Sequence, residues 1–264
     1  EGDWDGAFKA AKRVIDEGGY AVGTKSDLTG GMNSLDKQNV MWGAGIQVAD
    51  QAGGYAGFFT HMDNKEGAYA KSAPKLISKQ LYNRISATDI RRDWWDPSDK
   101  ESPYVSKKFS FANVASFLGD YIYMRVEEMY FTAAEAALRL DDLKSARELM
   151  NTVMAERDPG YSANNRSGTL LGATTTTWTG SFLENILTHR RIELWGEYGR
   201  LFDVRRLGQG IDRRTDDGFS EECISMMNRR NVNITKADTY DWVLTIPKAE
   251  LDANPNINEE DQNP

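Results

Sequence analysis

The chain has 264 residues, of which 27% are charged and 40% hydrophobic, with a formal net charge of −8. That length is enough for one large core or two small ones, and the composition is ordinary for a globular protein. The acidic balance argues against nucleic acid and anionic lipid as partners, since both need basic patches, and the single cysteine, Cys223, rules out an internal disulfide and a cysteine-based zinc site.

Residues 1–19 read as an amphipathic helix. Trp4, Phe8, Ala11 and Ile15 are spaced 4, 3 and 4, and Gly18-Gly19 ends the pattern. Residues 20–119 have poor periodicity and frequent glycine, the pattern of a large irregular segment. Within it, Val40, Trp42, Ile46 and Val48 alternate as two strand pieces around Gly43 and Gly45, which puts Trp42 in the core. Ser72 to Ile85 is predicted helical, with Pro74 near its start and Leu76, Ile77, Leu81 and Ile85 on one stripe. Asp96-Pro97-Ser98-Asp99 reads as a turn, and Tyr104 to Phe111 as a short strand.

Residues 120–208 carry the clearest helices. Ile122, Val126, Met129, Ala133, Ala137 and Leu140 form one apolar stripe, spaced 4, 3, 4, 4 and 3. After Asp141-Asp142, a second stripe of Leu143, Ala146, Met150 and Val153 runs towards Pro159-Gly160. Two helices joined by so short a link form an antiparallel hairpin about the size of a tetratricopeptide unit. Ser181 and Glu184 have capping-box spacing, opening a helix expected to run through Leu194, Tyr198 and Leu201 to Gly208, with Gly196 and Gly199 as weak points. Residues 209–264 form a polar tail in which Trp242, Leu244 and Ile246 alternate like a strand before Pro247.

On that last helix Arg190, Glu193, Glu197 and Arg200 are spaced 3, 4 and 3 and share a face. Glu193 and Glu197 would lie about 5–6 Å apart at Cβ, which suits a retaining glycosidase pair. The flanking arginines favour a structural ion network instead, because they lower carboxylate pKa values whereas a glycosidase acid needs its own raised. His61 and His189 are too few for a metal centre without carboxylates at ligand spacing, and no phosphate-binding glycine loop or nucleophile elbow occurs. No catalytic residue, metal or cofactor is expected.

Aromatic residues remain. Tyr55, Phe58, Phe59, His61 and Met62 crowd a glycine-flanked stretch, and Trp94 and Trp95 stand side by side, with Tyr104, Trp178 and Trp42 as further candidates, though Trp42, in an alternating strand, reads first as core. Such rings cover the apolar face of a sugar while Asp, Asn and Arg meet its hydroxyls. Taken singly, each ring reads first as a core residue, because large apolar side chains are more often buried. Neighbouring Trp94 and Trp95 in an extended strand point opposite ways, so at least one is expected to face solvent or a cleft.

Three motifs in order carry a family resemblance: Arg125-Val-Glu-Glu-Met-Tyr-Phe-Thr-Ala-Ala-Glu-Ala, then His189-Arg-Arg-Ile-Glu-Leu-Trp-Gly-Glu-Tyr-Gly-Arg-Leu-Phe-Asp-Val-Arg-Arg, then Ile246-Pro-Lys-Ala-Glu-Leu-Asp-Ala-Asn-Pro closing on Gln262-Asn-Pro. Together with Met41-Trp42, Phe58 to Asp63, Pro74 to Ile77 and Thr88 to Arg91, they resemble the SusD/RagB family. The resemblance covers nearly the whole chain and implies a mainly α fold. That fold is a tetratricopeptide-like helical-repeat scaffold with a large irregular, loop-rich segment and a few short strands. It also implies one SusD-like domain over 1–264 lacking its N-terminal part, with the helical scaffold at 1–19 and 120–208. The implied function is non-catalytic capture of glycans at the cell surface and delivery to a SusC-like TonB-dependent outer-membrane transporter. The full gene product is then expected to carry a lipoprotein signal and lipidated cysteine, its only contact with the membrane. A peptide ligand, an acidic glycoside hydrolase and a protein-binding repeat scaffold are the alternatives. Family ligand sites lie in variable loops, so the candidates Tyr55, Phe58, Phe59, His61, Trp94 and Trp95 rest on the loop aromatics alone.

Overall fold

A computed structural model describes residues 2–50, 57–171, 178–210 and 244–262. These fall into two compact units, the first containing 2–50, 57–171 and 179–198 and the second 178, 199–210 and 244–262.

The first unit opens with α1 (Trp4–Glu17), whose N-cap Asp3 accepts from the Gly6 amide at 2.8 Å. A short α2 (Lys25–Thr29) starts in a capping box between Thr24 and Asp27. Strand β1 (Val40–Ala44) follows, and the expected second strand piece instead forms a 3-10 turn at Val48–Asp50. The helix predicted from Ser72 to Ile85 does not form. Three short helices follow one another here, α3 (Phe58–Met62), α4 (Ala68–Ser72) and α5 (Lys79–Tyr82), and only α5 lies within the predicted span. Pro74 explains the break, because its ring excludes the residue before it from helical geometry, and Ala73 sits at φ −143°, ψ 74°. Residues 75–77 then pair with 104–106 in extended form: the Ser106 amide donates to the Lys75 carbonyl at 2.9 Å and Ile77 to Tyr104 at 3.2 Å. The predicted strand from Tyr104 to Phe111 shrinks to β3 (Val105–Ser106), antiparallel to β2 (Trp95–Asp96).

Strand β4 (Tyr121–Arg125) pairs antiparallel with β1 and leads into α6 (Val126–Arg139), so Ile122 of the long apolar stripe belongs to the strand. Asp141, at φ 61°, turns the chain, and the Asp142 side chain accepts from Ser145 N at 3.0 Å to open α7 (Leu143–Ala155). Helix α8 (Phe182–Glu193) begins at Ser181, which accepts from the Glu184 amide at 3.2 Å. The reciprocal half of the box is missing, because the Glu184 carboxylate accepts from Gly180 N at 3.2 Å and Thr179 Oγ1 at 2.6 Å. Helix α6 packs against α1, α7 and α8. Its Ala133, Ala134, Ala136 and Ala137 are almost fully buried, and side chains this small let three helices approach one axis closely. The result is the expected mainly helical scaffold with few short strands.

A second core lies under the irregular segment. It gathers Leu28, Phe59, Ile77, Leu81, Ile85, Trp94, Trp95, Phe109, Phe111 and Ile192. Burial of large side chains here, each stabilising by about 1.5–3 kcal/mol, holds a segment without long helices against Ile192 of α8.

The long helix expected from Ser181 to Leu207 stops at Glu193. Gly196 takes φ +74°, and a Cβ there would stand 2.6 Å from the Phe109 ring and 2.8 Å from Met62 Cε, so the turn is specific to glycine. In the second unit α9 (Arg200–Arg206) starts after Gly199 at φ 96°, and α10 (Lys248–Ala253) follows Pro247. The Gln262 amide there exchanges two hydrogen bonds with Ile246, at 2.7 and 2.9 Å. Trp242 lies outside the described residues, and Leu244 to Ile246 form no strand. No helix among the described residues is long and apolar enough to cross a membrane.

Candidate ligand-binding cleft

The ribbon of β1 and β4 builds one wall of an open cleft of about 530 Å³. The register slips on either side of Trp42, which stands opposite Met124, while Gly43 faces Ile122. Gly43 is required at the slip: a Cβ would lie 2.4 Å from the Tyr121 carbonyl oxygen. Trp42 and Tyr123 project from the ribbon as an edge-to-face pair, 5.0 Å between centroids, 62% and 41% exposed. Trp42 was expected in the core. A two-stranded ribbon leaves side chains without a covering layer, and alternation along the sequence does not reveal how many strands flank it.

Phe58 forms the inner wall. It enters α3 directly after Gly57, packs edge-on to Phe109 at 5.1 Å, and its amide donates to Tyr121 Oη at 3.4 Å. Met32, Ile122 and Met124 add apolar lining, and Glu197 and Tyr198 close the cleft.

Among the expected ligand residues, Phe58 alone lines this cleft. Tyr55 lies outside the described residues. His61 is exposed on α3 and stacks on Tyr69 at 4.6 Å with planes 7° apart. Phe59, Trp94 and Trp95 are core residues, 1–3% exposed, which corrects their reading as sugar platforms. The two tryptophans do not sit in one extended strand. Trp94 ends a 3-10 turn at Ile90–Trp94 and Trp95 opens β2, so both rings turn inward, 5.8 Å apart, with Trp94 Nε1 donating to the Leu28 carbonyl at 3.0 Å.

Behind the cleft lies a buried ion network that reaches the cleft wall at Glu197. Glu193, with none of its side chain exposed, faces Arg91 at 3.1 Å, Arg125 at 3.0 Å and Arg157 at 3.0 Å. Glu127 bridges Arg157 at 2.8 Å and Arg125 at 3.1 Å, and accepts from Asn39 Nδ2 and Gly23 N. Asp89 takes the other side of Arg91 at 2.6 Å. Arg125 holds Glu197 with two bonds, Nε at 2.9 Å and Nη2 at 2.7 Å, and Lys108 Nζ adds a third at 2.5 Å. The four cations Arg91, Arg125, Arg157 and Lys108 thus balance Asp89, Glu127, Glu193 and Glu197.

Burial alone would raise both the Glu193 and the Glu197 carboxyl. Arg157, Arg125 and Arg91 hold Glu193 well below the usual carboxylate range, and Arg125 and Lys108 hold Glu197 below it. Burial also draws Lys108 down to about 8, against the pull of Glu197. His189 is buried beside Arg91, and both effects push its imidazole well below its ordinary value, so Nδ1 accepts from Arg91 Nη2 at 2.9 Å. The grouping of Arg190, Glu193, Glu197 and Arg200 on one helix face is corrected, because the helix ends between the two glutamates. Arg190 pairs with Glu128 at 2.7 Å, and Arg200 opens α9 in the second unit. Both glutamates are permanent acceptors under arginine, the opposite of the protonated carboxyl that glycoside cleavage requires. Sequence spacing missed Arg91, Arg125 and Arg157 because they come from distant segments; Arg125 opens the first motif and Arg91 ends the Thr88 to Arg91 stretch, whereas Arg157 lies outside all of these and carried no signal.

A model of the SusD family matches residues 96–264. A solved SusD superfamily protein from Bacteroides thetaiotaomicron superposes with a TM-score of 0.73 at 22% identity, covering 100% of this chain and 57% of that one. A SusD-like carbohydrate binding protein from Bacteroides vulgatus gives 0.70 at 22% identity, covering 96% and 55%. Surface glycan-binding protein A from Bacteroides uniformis gives 0.61 at 18% identity, covering 98% and 56%. At these identities the likeness establishes the fold, and the chain spans little more than half the length of these structures. No curated protein matches it by sequence.

Proposed function

Since the family match spans well over half of it, the chain belongs to the SusD family, and from that premise we propose that it binds glycans without turning them over, at the cleft between Trp42 and Tyr198. The observation that carries this reading is the Trp42–Tyr123 pair, two large rings left exposed at the rim of an aromatic-lined cavity. Rings so placed stack on the apolar face of a pyranose, while Tyr121 and Tyr198 offer phenol oxygens to its hydroxyls. The family supports carbohydrate as the ligand, as does the likeness to proteins described as carbohydrate- and glycan-binding. The arginine-locked Glu193 and Glu197 support the non-catalytic part of the reading, since neither is poised as a glycosidase acid. His61, exposed at the end of α3, stays a candidate contact outside the cleft. Delivery to a SusC-like TonB-dependent transporter, from a lipid-anchored position on the outer-membrane surface, completes the proposal.

Trp42→Ala is the deciding variant. A lost stacking ring costs on the order of 1–3 kcal/mol by analogy with base stacking, so affinity is expected to fall about tenfold to hundredfold. Stability is expected to move by less than about 0.5 kcal/mol, the spread for surface positions. Calorimetric titration with an oligosaccharide panel, beside melting of the same variant, measures both. Undiminished glycan affinity in Trp42→Ala would remove the cleft from consideration, and product formation during the titration would refute the non-catalytic reading.

A further inference from the structure

We propose that Arg190, Glu128 and Tyr198 form a positioning relay that holds the Tyr198 ring as a fixed wall of the cleft and makes its phenol oxygen an acceptor for a ligand hydroxyl. The proposal rests on the reading of the cleft as the glycan site. Tyr198 is 46% exposed and lines the cavity, yet its hydroxyl is not loose: it donates to Glu128 Oε2 at 2.7 Å. The other carboxylate oxygen of Glu128 accepts from Arg190 Nη2 at 2.7 Å, and Arg190 Nη1 reaches Thr132 Oγ1 at 3.4 Å. Glu128 is itself 6% exposed in the first turn of α6, a rigid element.

The chain delivers Tyr198 to this clamp through the Gly196 turn, and Glu197, one residue earlier, is held from the other side by Arg125 and Lys108. Two independent anchors therefore fix consecutive residues at the cleft wall. An exposed ring without them would sample rotamers, and binding would have to freeze it; a clamped ring avoids that ordering cost. The single phenol proton is committed to Glu128, which leaves lone pairs for the ligand. Burial and the Glu128 acceptor push the Tyr198 phenol well above its usual range, so it stays protonated. Tyr121 has the opposite polarity. Its oxygen accepts from Phe58 N, leaving its proton for the ligand, so the lining offers one phenol acceptor and one phenol donor to a polyhydroxylated chain.

The test is affinity electrophoresis of parent and variants through gels containing soluble starch, arabinoxylan, xyloglucan or galactomannan, with melting temperatures taken in parallel. On the gel that retards the parent, Tyr198→Phe, which keeps the ring and loses the hydroxyl, is expected to bind about three- to tenfold more weakly at unchanged melting temperature. Glu128→Ala is expected to weaken binding similarly, and the double variant no further than either single one, as members of one unit behave. Parental retardation of Tyr198→Phe with a lowered melting temperature only in Glu128→Ala makes Glu128 merely structural and overturns the relay. Trp42→Ala separates the two levels. If it loses retardation while Tyr198→Phe does not, the relay fails and the cleft stands. If Trp42→Ala binds as the parent, or no gel retards the parent, the cleft reading fails and takes the relay with it.

Discussion

Replacing Glu193 with alanine is expected to cost about 3–5 kcal/mol of stability, the range for breaking a buried ion pair by removing one partner. The loss is large because Glu193 has no exposed surface and faces Arg91, Arg125 and Arg157 within 3.1 Å. Alanine leaves three guanidinium groups together in a dry interior with Asp89, Glu127 and Glu197 as their remaining counter-charges. Denaturant melts of variant and parent measure it, and a change below about 1 kcal/mol would show that water or rearrangement repairs the site. The same residue sets a pH dependence. Its folded carboxyl lies well below its unfolded value, so its contribution is fully present above about pH 4.3 and is lost as pH falls through the folded value. Glu193→Gln, which cannot titrate, is expected to flatten the acid limb of stability; an acid limb as steep as the parent's would assign that limb to other carboxylates.

Trp95→Ala is expected to destabilise by about 3–5 kcal/mol through the cavity it leaves. Its ring is 1% exposed and packs edge-on to Trp94 and Trp195, each at 5.8 Å, at the centre of the core beneath the irregular segment. His61→Ala, at the exposed position of α3, is the control and is expected to stay within about 0.5 kcal/mol. Melting curves of both decide the matter: equal, small effects would return Trp95 to the list of accessible rings.

The helices of the scaffold were legible because their cause is local. The stripe from Val126 to Ala137 recurs at helical spacing, Asp142 and Ser181 cap the helices they precede, and α7 and the start of α8 follow as expected. The stop at Pro74 is local too: the exclusion of Ala73 from helical geometry outweighs the apolar stripe of Leu76, Ile77, Leu81 and Ile85. The three motifs carried the family, since they hold the residues of the network: Arg125, Glu127 and Glu193 all lie within them.

What the network and the cleft are made of was decided only in three dimensions. Glu193 and Glu197 look like neighbours on one face, yet Gly196 ends that geometry, and their partners arrive from up to 102 positions away. Burial of Trp94 and Trp95, and exposure of Trp42, depend equally on what covers each ring. Helical period and capping are properties of a few consecutive residues, so the sequence by itself determined the scaffold. Charge partners and solvent access are properties of elements brought together by packing, so the tertiary structure alone made Glu193 a buried counter-ion and Trp42 the exposed ring of a cleft.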